Sequence, residues 1–300
     1  MKKLLLSAAA ILIACAASGQ VLYSISGNGL KKESYIVGTH HLVDASFAKE
    51  IPGMDKAMKM TKQVYGELKM GDMMNPDTMK MAQEAMYIPD GGKIKELLGD
   101  EYFNKLNELF KSLSGIPFDF PQIYEQMGGM RPSALESQLT VIMYLSKHQA
   151  AFDPTNGLDS YFQQQAIANK KEAFGLESFA FQAQVMYQSK TMDEEVDNFK
   201  CLLDNIEESM KQLDMLTEAY RAQDAKAIDK VLRMDGEIEC MDSNLDELID
   251  MRNKNWVAKM PEIMKKRPTL FVIGAGHLFG EKGVLELLKK AGYTIKAVEN

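Results

Sequence analysis

Leu270-Phe-Val-Ile-Gly-Ala-Gly-His277-Leu-Phe-Gly280 follows Pro268 and opens on an unbroken apolar run, Leu270 to Ile273, that passes into two glycines and a histidine. A short apolar run bounded in this way reads as a buried strand that closes in a sharp turn. Glycine tolerates left-handed angles and close backbone approach. His277 is therefore expected on a loop at the carboxyl end of a strand, the edge at which α/β sheets bind ligands. The pattern recurs far upstream, where Ser34-Tyr-Ile-Val37 runs into Gly38-Thr39-His40-His41. Two strands that each end in Gly-x-x-His predict an α/β fold with both histidines at one site.

Working outward, Gly283 to Ala291 is an amphipathic helix stopped by Gly292, and Thr294 to Val298 is a further strand, so the C-terminus reads as a βαβ-like unit. At the other end, Val21 to Ser26 alternates as a strand, and Gly27-Asn28-Gly29 turns it into the strand before His41 as a hairpin. Asp44 to Met60 is helical with a break at Pro52-Gly53, and Gln63-Val-Tyr-Gly-Glu67-Leu68 is a short strand with a carboxylate near its end. Gly157-Leu158-Asp159 starts a helix through Ala168, and Glu172 to Leu176 is another short strand, this one ending in Glu177. Met192 to Met234 is helical with a charged surface, and Asp242 to Lys265 is one more helix that carries Arg252, Asn253 and Trp256. The whole is expected as a central mixed sheet with surrounding helices, a single domain over residues 20–300.

Between residues 71 and about 150 the pattern is helical, broken at Pro89 to Gly92, at Gly115-Ile116-Pro117 and at Gly128 to Pro132. This helical insertion is rich in methionine, including Met70, Met73, Met74, Met79, Met81 and Met86. Core packing is the first expectation, because methionine fills irregular apolar gaps; an adaptable groove for an apolar peptide or lipid, and copper binding, are the alternatives.

Residues 1–19 have the layout of a signal peptide: Lys2 and Lys3, an apolar run from Leu4 to Ala14, and Ala17-Ser18-Gly19 before the cleavage point. Leu12-Ile13-Ala14-Cys15 also resembles a bacterial lipobox, which would give a lipid-anchored Cys15. The chain is read as exported and bacterial, either periplasmic or an outer-membrane lipoprotein of the cell envelope. No later stretch approaches the roughly 20 apolar residues of a membrane span. The net charge of −7 falls further once two lysines leave with the leader, which argues against nucleic acid and anionic membrane surfaces as partners. In an oxidising compartment Cys201 and Cys240 are expected as a disulfide.

Two histidines and a carboxylate at one sheet edge suit a metal centre with open positions, able to hold zinc, manganese, cobalt or iron. His41, Glu67 and His277 are the expected ligands. Glu67 or Glu177 is then the general base, and Arg252 stabilises an oxyanion. Plainer roles stand beside these. His41 and His277 can serve as turn residues bonded to backbone, Glu67 and Glu177 as solvated strand ends, and Arg252 as a partner to a structural carboxylate. His40 alternates away from His41 and is expected behind the site or facing solvent. His148 is expected to be structural.

Taken together and in order, Gly38-Thr-His-His41, Glu67, Gly157-Leu-Asp159, Gly-Leu-Glu177 with Gln182, Arg252-Asn253 with Trp256, and Gly274-Ala-Gly-His277-Leu-Phe-Gly-Glu-Lys-Gly283 resemble the TraB/GumN family, which includes the Tiki-type metalloproteases. The resemblance implies an erythromycin-esterase-like core, His41 and His277 as motif histidines, Glu67 as their acidic partner, and a manganese- or cobalt-dependent peptidase. His40 and the methionine-rich insertion depart from the family pattern. The reading is thus an exported metal-dependent hydrolase of a peptide or amide bond. Two others compete with it: a metal-free esterase-like hydrolase with a histidine base, and a non-catalytic envelope protein that binds a peptide, lipid or sugar intermediate.

Overall fold

Residues 270–273 are buried completely, and their side chains alternate between two separate cores. Leu270 and Val272 pack into one, Phe271 and Ile273 into the other. A strand covered on both faces has no solvated side to mark with polar residues, which is why the run is continuously apolar. The computed structural model describes residues 20–148, 157–234, 238, 240 and 244–299. The leader at residues 1–19, with Cys15, lies outside the described residues.

Six strands form the sheet: β1 (Leu22–Gly27), β2 (Ser34–Thr39), β3 (Gln63–Gly66), β4 (Glu172–Gly175), β5 (Thr269–Gly274) and β6 (Tyr293–Ala297). Their order is β4-β3-β5-β2-β1-β6. β4, β3, β5 and β2 run parallel, β1 turns back antiparallel to β2, and β6 is antiparallel to β1. β5 and β6 are therefore parallel but not adjacent, because β2 and β1 lie between them. The closing βαβ-like unit thus joins two parallel strands with two others between them.

One face is covered by α1 (Met54–Met60), α6 (Leu158–Ala168), α9 (Ile206–Arg221) and α10 (Ala225–Leu232), whose Ala57, Phe162, Tyr220 and Ile228 complete the first core. The other face carries α11 (Arg252–Lys266) and α12 (Val284–Lys290), which contribute Trp256, Met260, Leu285 and Leu288. The insertion supplies α2 (Pro76–Met86), α3 (Ile94–Ser114), α4 (Pro121–Met127) and α5 (Pro132–Lys147), broken at each expected Gly/Pro cluster. Gly99, at φ 70°, adds a break inside α3 that the sequence pattern did not signal. α3 to α5 build a third core with α8 (Met192–Asp204), around Leu106, Phe118, Leu139 and Phe199. α7 (Phe179–Gln188) packs against α2.

One expectation needs correction and one alternative is decided. Two methionines of α2 are not core residues: Met79 and Met81 are exposed, whereas Met86 at the end of the helix packs partly buried against the third core. α2 lies on the outside, against α7, so these two side chains have little protein to cover them. For His40 the solvent-facing alternative falls and the one behind the site stands. The strand ends at Thr39 and the chain turns, with Val43 N–H donating to the His40 carbonyl, and the imidazole is buried beside the Tyr220 ring. Burial holds its pKa down at about 4. His148 stacks on Tyr144 with the ring centroids 4.5 Å apart, as a structural residue does. Cys201 and Cys240 form the expected disulfide. Among the described residues no helix is long and apolar enough to cross a membrane.

Candidate active site

Parallel pairing puts the ends of β2, β3, β4 and β5 along one edge, and the register decides which side chains meet there. Gly66 is level with Gly175, and the ladder continues past both strands, as Leu176 N–H donates to the Gly66 carbonyl and Glu177 N–H to that of Glu67. Glu67 and Glu177 therefore stand side by side. On the other flank Thr39 is level with Gly274, so the two Gly-x-x-His turns leave the sheet together. Gly38 is required for this contact: a Cβ there would lie 2.6 Å from Leu278 Cδ1 and 3.0 Å from Ala275 Cα.

Arg252 fills the space between these strand ends. A π-helical turn, Asp246–Met251, leads directly into α11 and points the guanidinium back at the sheet edge. Its Nη2 donates to Glu67 Oε2 at 2.6 Å and to Glu177 Oε1 at 2.8 Å, Nε donates to Glu177 Oε1 at 3.0 Å, and Nη1 donates to the Leu248 carbonyl at 2.9 Å. Nη1 also lies 3.2 Å from His277 Nε2. Arginine has donors only, so His277 Nε2 is the acceptor in that pair. Its proton then sits on Nδ1, which donates to Asn253 Oδ1 at 2.7 Å. Neutral His277 lies against Trp256, the ring centroids 4.4 Å apart and tilted by 45°, and burial holds its pKa at about 4. The spacing of Arg252, Asn253 and Trp256 puts all three on one face of α11, against the site.

Glu67 is held from both sides. Oε1 accepts from Gly274 N–H at 2.7 Å, and Oε2 accepts from Arg252 and from Gln182 Nε2 at 3.0 Å. Burial works against its charge, but His277, Arg252, His41 and the Gly274 N–H together outweigh it and hold the carboxyl at about 2. Glu177 accepts from Arg252, from Trp256 Nε1 at 2.9 Å and from Gln182 at 3.2 Å, with its side chain only 4% exposed. Each of its oxygens is committed to a donor of the protein.

His41 is held differently. Its Nδ1 pairs with Asp159 Oδ2 at 2.9 Å, and Asp159 Oδ1 in turn accepts from the Thr39 hydroxyl at 2.7 Å. The Asp159 carboxylate raises the His41 pKa to about 9. The ring, 69% exposed, sits in the mouth of a cavity of about 240 Å³ that Glu67, Gln163 and Gln182 also line. A Cβ built on Gly274 would lie 3.2 Å from Glu67 Oε1 and 3.7 Å from both His41 Nε2 and His277 Cδ2. The missing side chain of Gly274 thus marks the point on which the three groups converge. His277 Nε2 is 3.8 Å from Glu67 Oε1.

Residues 21–297 match the TraB/PrgY/gumN family over nearly the whole chain. The protein belongs to the TraB/PrgY/gumN family. It is also similar to a "Metalloprotease TIKI homolog" of Nematostella vectensis, 22% identical over 320 residues that cover 89% of this chain. The chain spans 65% of the length of that relative.

The structure brings together His41, Glu67, Glu177, Arg252 and His277, all named from the sequence. Sequence reasoning did not assign Asp159 and Thr39 to His41, Asn253 to His277, or Gln182 to the two glutamates. Asp159, Gln182 and Asn253 stand in the stretches that resemble the family, which was the available signal; Thr39 lay inside the first motif itself.

Proposed function

We propose that the protein is a hydrolase of peptide or amide bonds, with His41, Glu67 and His277 as its centre. The convergence of two imidazoles and an ionised carboxylate on the open face of Gly274 carries this reading. Membership of the family and the likeness to a metalloprotease support it.

The donors suit a divalent metal in kind. Each imidazole has Nδ1 tied to an outer oxygen, Asp159 or Asn253, the arrangement that directs Nε2 of a metal-binding histidine inward. In position the set is not closed: among the described residues no three His, Cys, Asp or Glu groups lie at ligand spacing, and Arg252 Nη1 occupies His277 Nε2. We therefore propose manganese or cobalt, with zinc as the alternative, held by His41, Glu67 and His277 once Arg252 Nη1 has moved off His277. When bound, such an ion polarises a carbonyl and acidifies water.

The chain's own groups have separable tasks. Asp159 orients His41, so that Nε2 is presented at the cavity mouth, where it would hold the metal. Glu177 and Trp256 hold the Nε side of Arg252, which makes Glu177 a positioning residue in this proposal. Arg252, once freed from His277, offers Nη1 to a developing oxyanion. Glu67 holds the Arg252 charge near the reacting carbonyl.

The His41–Asp159 pair also fits a metal-free hydrolase with His41, once it has given up its proton, as general base. Metal analysis of the purified protein, with peptide cleavage assayed before and after chelation, separates the two. The metal reading expects stoichiometric metal and lost cleavage, and it fails if a His41→Ala, His277→Ala double variant binds metal as the wild type does. We also propose export to an oxidising compartment, with an anchor at Cys15 as one form of it. The Cys201–Cys240 disulfide supports that location.

A further inference from the structure

Beside the site lies a second cavity, of about 360 Å³, that shares Leu68 with the first. Leu68, Met73, Met81 and Phe179 supply its apolar wall, and the backbone of β4 closes it at Gly175. Gln163 fixes the partition between the two: its Nε2 donates to the Leu68 carbonyl at 2.8 Å and its Oε1 accepts from Met70 N–H at 3.0 Å. The residue that holds this wall is itself buried, so the two cavities are held side by side with one wall between them.

The charges around the second cavity are already spent. Lys69 Nζ pairs with Asp72 Oδ1 at 2.8 Å, and Glu177 accepts from Arg252, Trp256 and Gln182. A charged group entering here would have to compete with these pairs, of which Lys69–Asp72 stands at the exposed rim. An apolar side chain would instead exchange water for thioether and ring carbon. Methionine adapts to many apolar shapes, and Met81 stays 41% exposed on a helix that has no core role for it.

We propose that this cavity is a substrate subsite that takes an apolar side chain of the leucine, methionine or phenylalanine type, from an extended peptide whose neighbouring bond lies over His41 and Glu67. The proposal rests on the hydrolytic reading for the position of the bond alone. The side-chain preference is a property of binding and is tested as one.

Fluorescein-labelled short peptides, each position exchanged in turn between Leu and Asp, are titrated into the full-length protein and followed by anisotropy. At one position the Leu form should bind at least about tenfold tighter than the Asp form. Met73→Glu and Met81→Glu should each bring that ratio below about threefold. Met81→Leu should keep it, and circular dichroism should be unchanged throughout. Three results overturn the proposal: no position shows the preference, the preference survives both glutamate variants, or a lauroyl probe binds while no peptide does. Cleavage of the same peptides is scored separately. Preference without turnover sinks the hydrolase and leaves the subsite, whereas turnover without preference sinks the subsite alone.

Discussion

Arg252→Met removes the one cation that faces both buried carboxylates. The side chains of Arg252, Glu67 and Glu177 are 6%, 11% and 4% exposed, so solvent cannot replace the guanidinium. Deleting one partner of a buried ion pair costs about 3–5 kcal/mol, against about 0–1 kcal/mol for a surface pair. Set against a total stability of about 5–15 kcal/mol, this variant should be strongly destabilised at pH 7.5. The pH dependence distinguishes charge from lost packing. In the wild type Glu67 is held at about 2, below its usual value of 4.5, so its contribution is complete above 4.5 and disappears as the pH falls toward 2. Without Arg252 the Glu67 carboxyl loses one of the charges that hold it down while burial still raises it, so it takes up its proton at a higher pH than in the wild type. The deficit should then shrink between pH 7.5 and pH 3. Urea unfolding followed by circular dichroism at both values measures the two deficits. A loss under about 1 kcal/mol, or one equal at both pH values, would refute the account. Arg252→Lys keeps the charge without the fork and should fall between the two.

Three other outcomes follow from distances in the site and its surroundings. Asp159→Asn removes the main cause of the raised His41 pKa, so the imidazole should titrate well below 9 in NMR of the metal-free protein, and an unchanged value would show that Asp159 is not the cause. Gly274→Ala puts a methyl where His41, Glu67 and His277 converge; it should abolish metal binding and cleavage while the unfolding midpoint changes little, and full activity would place the chemistry elsewhere. The Cys201–Cys240 bridge closes a sequence separation of 39, so Cys201→Ser with Cys240→Ser should cost up to about 4 kcal/mol by loop entropy. A loss within error in urea unfolding would show that the bridge adds no stability of its own.

Much of the architecture can be read in the chain itself. The two-faced burial of β5 shows as an unbroken apolar run, and the breaks among the insertion helices show as Gly/Pro clusters, because both are set by local backbone chemistry. α2 was misread for a related reason: an apolar side chain looks the same in sequence whether a partner element covers it or leaves it exposed. Strand order was likewise hidden, since nothing within β6 states that β1, not β5, is its neighbour.

The sequence by itself determined that two strands end in Gly-x-x-His, that carboxylates close two other strands, and that one helix carries Arg252, Asn253 and Trp256. Only the tertiary structure decided which of these groups meet and in what state. Register sets Glu67 beside Glu177, and the π-helical turn brings Arg252 between them. The same packing leaves His277 neutral under the guanidinium, while His41 carries its charge against Asp159 at the cavity mouth. Like residues in like motifs thus acquire opposite protonation states, because burial and charged neighbours come from contacts between segments far apart in the chain.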